Sequence, residues 1–328
     1  MKICMVTNMY PTPDQPAYGA FVKSQIDSII SIGHDVKVFQ IDGRRNRLNY
    51  ILAILRLRRL VRTTNYDLVH AHYGLSGIVA CMQKRFPVLV SFCGDDLLGT
   101  PDGKGGLTYA SRAIMRAGQW VSKSANGIVV KTRQMKYFIR SPRDQKKAVV
   151  IPNGVDLELF KPISKGEAQK ACGLRSDRRY VLFPSTSYER RKRFDLAEKA
   201  LDLLKVKHPE VELVLLYHKP QGMVPVFMNA CDAMVMTSDW EGSPNVVKEA
   251  MACNLPIVSV DAGDAWEVIG NAAHCYRAYR NPDDIADKLN CVLVTGERSN
   301  GREHIAHLEI GNVAKRVLAV YEAVLKVS

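Results

Sequence analysis

The chain reads as an α/β protein made of two Rossmann-like, doubly wound domains. Short apolar runs of strand length alternate with helical patterns from one end to the other, the signature of parallel strands joined by crossover helices. At 328 residues the chain is longer than one hydrophobic core usually supports. Near its middle, Pro152-Asn153-Gly154-Val155-Asp156, followed by Phe160-Lys161-Pro162, fixes a turn that ends a strand and divides the alternation into two sets.

In the first set the apolar runs predict strands over Lys2–Thr7, Asp35–Ile41, Asp67–Ala71, Pro87–Phe92, Gly127–Lys131 and Ala148–Ile151. The stretches between them predict helices near Ala20–Ile32, Leu48–Arg62, Leu75–Gln83, Ala110–Lys123 and Gln134–Ile139. The second set predicts strands over Tyr180–Pro184, Val211–Tyr217, Ala233–Thr237 and Ile257–Asp261. Helices near Arg193–Lys207, Pro225–Ala230, Pro244–Cys253 and Pro282–Val294 alternate with these. A last helical pattern, Ala306–Lys326, carries Val313, Val317, Val320, Tyr321 and Val324 as an apolar stripe at helical spacing.

Composition narrows the function classes. With 47% hydrophobic and 24% charged residues the chain is globular in character, and no apolar stretch reaches the ~20 residues of a membrane-spanning helix. The apolar part of Met1–Thr7 is too short for a signal peptide and reads as the first strand. The eight cysteines are scattered without a C-x-x-C pair, as expected of reduced thiols in a cytoplasmic protein. His70 and His72 have no acidic or thiol partner at ligand spacing, so no metal site is expected. A formal charge of +13 calls for anionic partners: nucleic acid, an acidic membrane surface or phosphorylated substrates. No zinc finger, RNA-recognition motif or aromatic platform supports nucleic acid.

The most informative stretch is Glu241-Gly242-Ser243-Pro244-Asn245-Val246-Val247-Lys248-Glu249. Ser243 suits an N-cap and Pro244 the first helical position, while Asn254 and Pro256 close the helix. Glu241 is then on the strand-end loop, with Glu249 about a turn and a half into the helix. Between them, free N–H groups of the first turn attract phosphate. A diphosphate flanked by two acceptors for hydroxyls is the pattern of a nucleotide sugar.

The full string Thr237-Ser238-Asp239-Trp240-Glu241-Gly242-Ser243-Pro244-Asn245-Val246-Val247-Lys248-Glu249-Ala250-Met251-Ala252-Cys253 closely resembles the E-x7-E signature of the family 4 (group 1) glycosyltransferases, retaining enzymes of the GT-B fold. The segment from Pro152 to Pro162 resembles that family's interdomain segment. The resemblance implies two Rossmann-like domains facing a central cleft: residues 1–155 on the acceptor side, 156–305 binding the nucleotide sugar, and 306–328 as a terminal helix crossing back to the first domain. The competing expectation packs that helix on the second domain alone.

The resemblance also implies roles. Glu249 takes the ribose diol, a bidentate arrangement. Glu241 takes hydroxyls of the donor sugar, and Gly242, Ser243, Pro244, Asn245 and Val246 form the turn that meets sugar and phosphate. After Ser185, Lys192 occupies the place of the family lysine that meets the leaving diphosphate. The usual arginine is absent, since Thr186 and Ser187 stand there, and Arg190 or Arg191 is expected to supply its charge. In the first domain, Ala17-Tyr18-Gly19-Ala20-Phe21-Val22 resembles the family's glycine-containing loop near the donor phosphates, with Gly19 as its glycine. Ser91-Phe92-Cys93-Gly94-Asp95-Asp96 resembles its "HGSD" segment. Asp95 matches the aspartate, orienting an acceptor or holding the loop, and Cys93 stands where many members have histidine.

The expected activity is therefore retaining, metal-independent transfer of a hexose from a UDP- or GDP-linked donor to a glycan or lipid-linked acceptor, with no cofactor beyond the donor, in bacterial polysaccharide or envelope glycan synthesis. The alternatives are an epimerase-like or non-catalytic nucleotide-sugar-binding protein, and a basic anion-binding protein using Arg44, Arg45, Arg47, Arg56, Arg58, Arg59 and Arg62. Leu48–Arg62 has two readings of its own. As a basic amphipathic helix it suits an anionic membrane surface, placing a cytoplasmic enzyme peripherally on the inner face of the cell membrane. As a crossover helix it is buried, and the nearly all-round apolar character of Leu48–Leu55 favours burial.

Overall fold

The computed structural model describes residues 1–15, 18–43, 45–100, 106–217 and 219–327. They fall into two compact units, Met1–Gly154 together with the chain from Ile310 onward, and Val155–Glu309. Of the residues singled out in the sequence, Ala17 and Arg44 lie outside the described residues.

The first unit is built on β1 (Lys2–Thr7), β2 (Asp35–Gln40), β3 (Leu68–His72), β4 (Val88–Ser91), β5 (Gly127–Val130) and β6 (Ala148–Val150). They form one parallel sheet in the order β2-β1-β3-β4-β5-β6. Central strands covered on both faces are buried at consecutive positions, whereas the edge strand β2 alternates in exposure. The period of two sorts the side chains into layers: Cys4 and Val6 join one core, Ile3 and Met5 the other.

The second of these cores is completed by the end of the chain. In the helix Ile310–Val327 the residues Val313, Ala314, Val317, Tyr321 and Val324 are buried against Ile3, Val22, Ile26, Leu89 and Val129 of the first unit. Gly127 permits the approach, because a Cβ there would lie 2.5 Å from Cγ2 of Val324. The helix begins at Ile310 rather than Ala306. Ala306–Leu308 is a 3₁₀ turn that stays with the second unit, where Leu308 O accepts the N–H of Val155 at 2.9 Å.

The second unit holds β7 (Arg179–Phe183), β8 (Val211–Leu215), β9 (Ala233–Met236), β10 (Ile257–Val260) and β11 (Tyr276–Ala278). Its parallel order is β11-β10-β9-β7-β8. The edge strand β11 escapes the apolar-run criterion because its three residues include Arg277 and are only partly covered. The helices Pro142–Lys146 and Lys165–Cys172 escape it too, being short and polar.

The expectation of burial for the start of the Leu48–Arg62 pattern is overturned. The helix runs Asn49–Thr63 and buries Ala53, Leu57 and Val61, while Leu48, Ile51, Leu52 and Leu55 are between 55% and 62% exposed. A helix lying on one face of a sheet covers a single stripe at i, i+4, i+8, and its remaining apolar positions face outward. No helix among the described residues is long and apolar enough to cross a membrane.

A buried polar contact pins the terminal helix. Tyr321 Oη lies 2.7 Å from Nδ1 of His70, whose Nε2 lies 2.8 Å from Ser91 Oγ. Burial, with the nearby Lys131 ammonium, pushes the His70 imidazole down to about 3, so the ring is neutral at pH 7. Tyr321→Phe leaves a buried ring nitrogen unpaired and should cost about 1–3 kcal/mol in urea unfolding at neutral pH. The unfolded ring takes a proton near 6.5 and the folded one only near 3, so stability should fall as pH drops through that window. His70→Gln should shallow the slope, and an unchanged slope would contradict the assignment.

Candidate active site

In the second unit the direction of winding reverses between β7 and β9, which are adjacent in the sheet although β8 separates them in sequence. Loops leaving the carboxyl ends of two such strands diverge and open a crevice, the usual ligand position in doubly wound sheets. Here those loops are residues 184–193 and 237–244. Hydrogen bonds to backbone carbonyls lock them together: Asp239 N–H donates to Arg191 O at 2.8 Å, and the Thr237 hydroxyl donates to the carbonyls of Lys192 (2.8 Å) and Arg193 (2.9 Å).

Glu241 is the hub of the crevice. Its Oε1 accepts from Lys192 Nζ at 2.6 Å and Ser238 Oγ at 2.9 Å, and its Oε2 from Arg191 Nη1 at 2.8 Å. Burial alone would raise its pKa, yet Lys192 and Arg191 outweigh it and hold the carboxyl below the usual range. Arg191 also meets Glu189 Oε1 at 2.6 Å and lies 5.1 Å from the Trp240 ring centroid. Ser185 Oγ is 3.1 Å from Glu189 Oε2, extending the chain of contacts to the end of β7. Of the two candidate arginines it is thus Arg191 that meets Glu241. Arg190 is exposed, and no described side-chain contact involves it.

The motif helix begins one residue later than expected, at Asn245, with Pro244 as its N-cap and no side-chain cap on the first-turn N–H groups. Ser243 is not the cap. Its hydroxyl accepts from Lys248 Nζ at 2.7 Å and donates to Asp264 Oδ2 at 2.8 Å, which turns it toward the loop after β10, and it makes no bond to the helix N-terminus. Gly242 and Asn245 are half-buried in the turn, and the Val246 side chain packs on the core, leaving Val246 only its backbone to offer a ligand. Asn254 closes the helix with φ 53°, as its place in the sequence requires. Glu249 is half-buried, and no described hydrogen bond reaches its carboxylate. Burial, only partly offset by Lys248, pushes its pKa up to about 7.

In the first unit the winding reverses between β1 and β3. The strand-end positions there include Tyr73, held at φ 79°, a conformation rare for a bulky residue and typical of functional loops. Gly19 has φ 73°, and a Cβ on it would fall 2.3 Å from Met9 C, so glycine is required where the chain from β1 enters the helix Ala20–Ser31. The loop-holding role expected of Asp95 belongs to its neighbour. Asp96 is fully buried and accepts the N–H groups of Gly74, Cys93 and Gly94 at 2.9–3.1 Å, whereas Asp95 is exposed at the start of a short helix. Burial nevertheless raises the Asp96 carboxyl to about 6. Burial also pushes the Cys93 thiol up, aided by Asp96. Among the described residues no three His, Cys, Asp or Glu side chains converge as a metal-ligand set.

Sequence reasoning missed Lys248, Asp264, Glu189 and Arg280. Arg280 Nη2 donates to the carbonyls of Ser238 (3.2 Å), Asp239 (2.9 Å) and Asp261 (2.6 Å), joining the loops after β9 and β10. The available signal was positional, since Asp264 lies just past the carboxyl end of a predicted strand.

The profile described as Glycosyltransferase Family 4 matches residues 3–159, and that described as Glycosyl transferases group 1 matches residues 214–304. TuaC of Bacillus subtilis strain 168, named for teichuronic acid biosynthesis, is 21% identical over 353 aligned positions covering 88% of each protein. A sucrose-phosphate synthase structure from Thermosynechococcus elongatus superposes with TM-score 0.81 at 15% identity, covering 100% of both chains. Anabaena HepE, solved in complex with UDP, superposes with TM-score 0.74 at 16% identity, covering 98% of this chain and 100% of that one. At these identities the structural likeness speaks to fold.

Glu241 is not a freely solvated carboxylate, so replacing it should affect stability as well as any chemistry. Glu241→Gln removes the counter-charge of two partly buried cations and should cost on the order of 2 kcal/mol at pH 7. Because the folded pKa is depressed, this stabilisation is complete above the unfolded value of 4.5 and is lost as pH falls through the lower folded one. Melting temperatures of wild type and variant should therefore converge in acid. A gap that persists unchanged at low pH would count against the ion-pair account.

Proposed function

The chain belongs to the family 4, group 1 glycosyltransferases of the GT-B fold, and we propose that it moves a hexose from a UDP- or GDP-linked donor to a hydroxyl of a glycan or lipid-linked acceptor, with retention and without a metal ion. The observation that carries this reading is an uncapped helix N-terminus lying between two unlike carboxylates, with Lys192 and Arg191 beside one of them. The N–H groups and the two cations suit a diphosphate, Glu249 a ribose diol, and Glu241 sugar hydroxyls. HepE, a structural neighbour, was solved with UDP, and TuaC is named for teichuronic acid biosynthesis.

In the proposed reaction the acceptor oxygen forms a bond to the anomeric carbon on the face from which the diphosphate leaves. The bond from that carbon to the phosphate oxygen breaks, and the acceptor proton passes to a phosphate oxygen. Lys192 and Arg191 stabilise the charge that builds on the leaving group. Since both now hold Glu241, a bound diphosphate would share or take over these cations and free Glu241 oxygens for sugar hydroxyls. Asp95, exposed just past the carboxyl end of β4, is assigned to orienting the acceptor.

Thermal stabilisation by UDP- or GDP-sugars tests the class, since a ligand of the folded state raises the melting temperature with concentration. Glu249→Ala should abolish most of it, whereas Lys192→Ala should weaken nucleoside diphosphate binding by about 1.5–3 kcal/mol and leave nucleoside binding nearly unchanged. Arg191→Ala should resemble Lys192→Ala, and Arg190→Ala wild type. Equal affinity in Glu249→Ala and wild type would defeat the ribose assignment. Glu249 must be ionised to accept two hydroxyls, so donor affinity should rise as pH passes upward through about 7; Glu249→Gln should flatten that dependence. Donor consumption without transfer to crude glycan or lipid would instead favour an epimerase-like activity, and steeply salt-dependent nucleic-acid binding without donor binding would favour the anion-binding reading.

The reading extends to location, cytoplasmic and peripheral on the inner membrane face. What supports it is the helix Asn49–Thr63, where exposed Ile51, Leu52 and Leu55, with Leu48 just before the helix, are preceded in sequence by exposed Arg45 and Arg47 and followed by exposed Arg56, Arg59 and Arg62. Apolar insertion flanked by arginines fits an anionic bilayer, each surface charge adding roughly 1 kcal/mol. Wild type should sediment with anionic vesicles at low salt, and changing Arg56, Arg58, Arg59 and Arg62 to glutamine should release it. No binding, or binding indifferent to that change, sinks the idea.

A further inference from the structure

Lys248 sits inside the motif helix and is 1% exposed, an expensive place for an ammonium unless a specific geometry is built around it. Its Nζ donates to Ser243 Oγ at 2.7 Å, and that hydroxyl donates onward to Asp264 Oδ2 at 2.8 Å. Asp264 is itself 4% exposed, and its other oxygen, Oδ1, is buried without a partner. The loop that carries Asp264 is pressed onto the backbone of the turn. Gly263 has φ 62°, and a Cβ there would fall 2.4 Å from Gly242 O and 3.0 Å from Glu241 O. From the other side Arg280 ties the carbonyls of Ser238 and Asp239 to that of Asp261. The turn 241–244 is thus held to the loop after β10 by backbone contact and by a buried Lys–Ser–Asp relay, while Arg280 ties the residues just before it to the same loop.

None of these groups is needed to form the helix, which starts at Asn245 without using the Ser243 side chain. The relay fixes instead the direction in which the turn presents its backbone. We propose that Lys248, acting through Ser243 and Asp264, is a positioning residue that sets the Gly242–Asn245 turn in the orientation that receives the donor diphosphate. Glu241 stays anchored by Lys192, Arg191 and Ser238, and the relay adjusts the N–H groups between the two glutamates. This rests on the donor reading given above. It also accounts for the exclusion of Ser243 from capping: as a cap the hydroxyl would occupy N–H groups that the relay leaves open.

The test uses the full chain and has one readout that needs no ligand. Amide hydrogen exchange at residues 242–246 is measured on wild type, Ser243→Ala, Ser243→Thr and the charge-balanced pair Lys248→Met with Asp264→Asn. Affinities for UDP, GDP and the matching nucleosides are measured by calorimetry on the same proteins, with urea midpoints as the control for folding. Ser243→Ala and the double variant should lose exchange protection at the turn by at least tenfold. They should bind the preferred nucleoside diphosphate at least tenfold more weakly, with nucleoside affinity and urea midpoint near wild type. Ser243→Thr, which keeps the hydroxyl, should restore both. Where a transfer or donor-hydrolysis assay exists, the loss should appear in KM for donor more than in kcat. Wild-type exchange and wild-type diphosphate affinity in both Ser243→Ala and the double variant overturn the proposal. Lost protection with intact diphosphate affinity also overturns it, leaving a purely structural brace. Failure of wild type itself to bind either nucleotide overturns the donor reading, and with it the diphosphate as the turn's target.

Discussion

The site depends on keeping one carboxylate charged where water barely reaches it. The Glu241 side chain is 9% exposed, and a lone carboxylate there would take up a proton. It stays ionised because Lys192 and Arg191 arrive from the loop after β7, and that loop lies beside Glu241 only because β7 and β9 are neighbours at the reversal of the sheet. The lock between Asp239 N–H and Arg191 O, and between Thr237 and the carbonyls of Lys192 and Arg193, holds the two loops in register. Removing the sheet reversal would separate the charges, and removing the charges would leave the crevice with an uncompensated ion.

The two glutamates of the motif show how far environment overrides residue type. Glu241 has two cations and is held below the usual carboxylate range, while Glu249 has no described hydrogen bond and is raised to about 7. Seven residues separate them in sequence, and the helix start between them carries N–H groups that no side chain caps. In both cases the surroundings, rather than the residue type, set the direction in which the carboxyl is shifted. The low-pKa group retains its charge across the physiological range. The high-pKa group remains responsive to whatever ligand replaces its lost solvation.

The first unit is held by different means. Its sheet is covered on one side partly by a helix from the far end of the sequence, and the buried His70–Tyr321 contact ties that helix to β3. Tyr73, the next residue after His72, carries an unusual backbone conformation, and the buried Asp96 gathers the N–H groups of the neighbouring loop. Stability and loop geometry therefore converge at the carboxyl ends of β3 and β4. The outer helix Asn49–Thr63 packs less closely, with Ile51, Leu52 and Leu55, and Leu48 just before it, exposed.

Much of this was legible in the chain itself. Apolar runs located the strands β1 to β10 to within about two residues, because a buried parallel strand must be apolar on both faces. The E-x7-E string located a strand-end loop and the helix start that follows it, since Ser-Pro before an apolar periodicity marks a helix start. What the sequence left open were matters of partnership, which depend on neighbours distant along the chain. It offered Arg190 and Arg191 alike, and only the fold turns Arg191 onto Glu241. It offered Asp95 where Asp96 gathers the loop, since one residue of helix phase decides which side chain faces inward. It read Ser243 as a cap, unaware that Asp264 and the buried Lys248 would claim its hydroxyl. Local pattern determined where the elements and loops lie; the order of the strands, set by long-range packing, determined which charges meet.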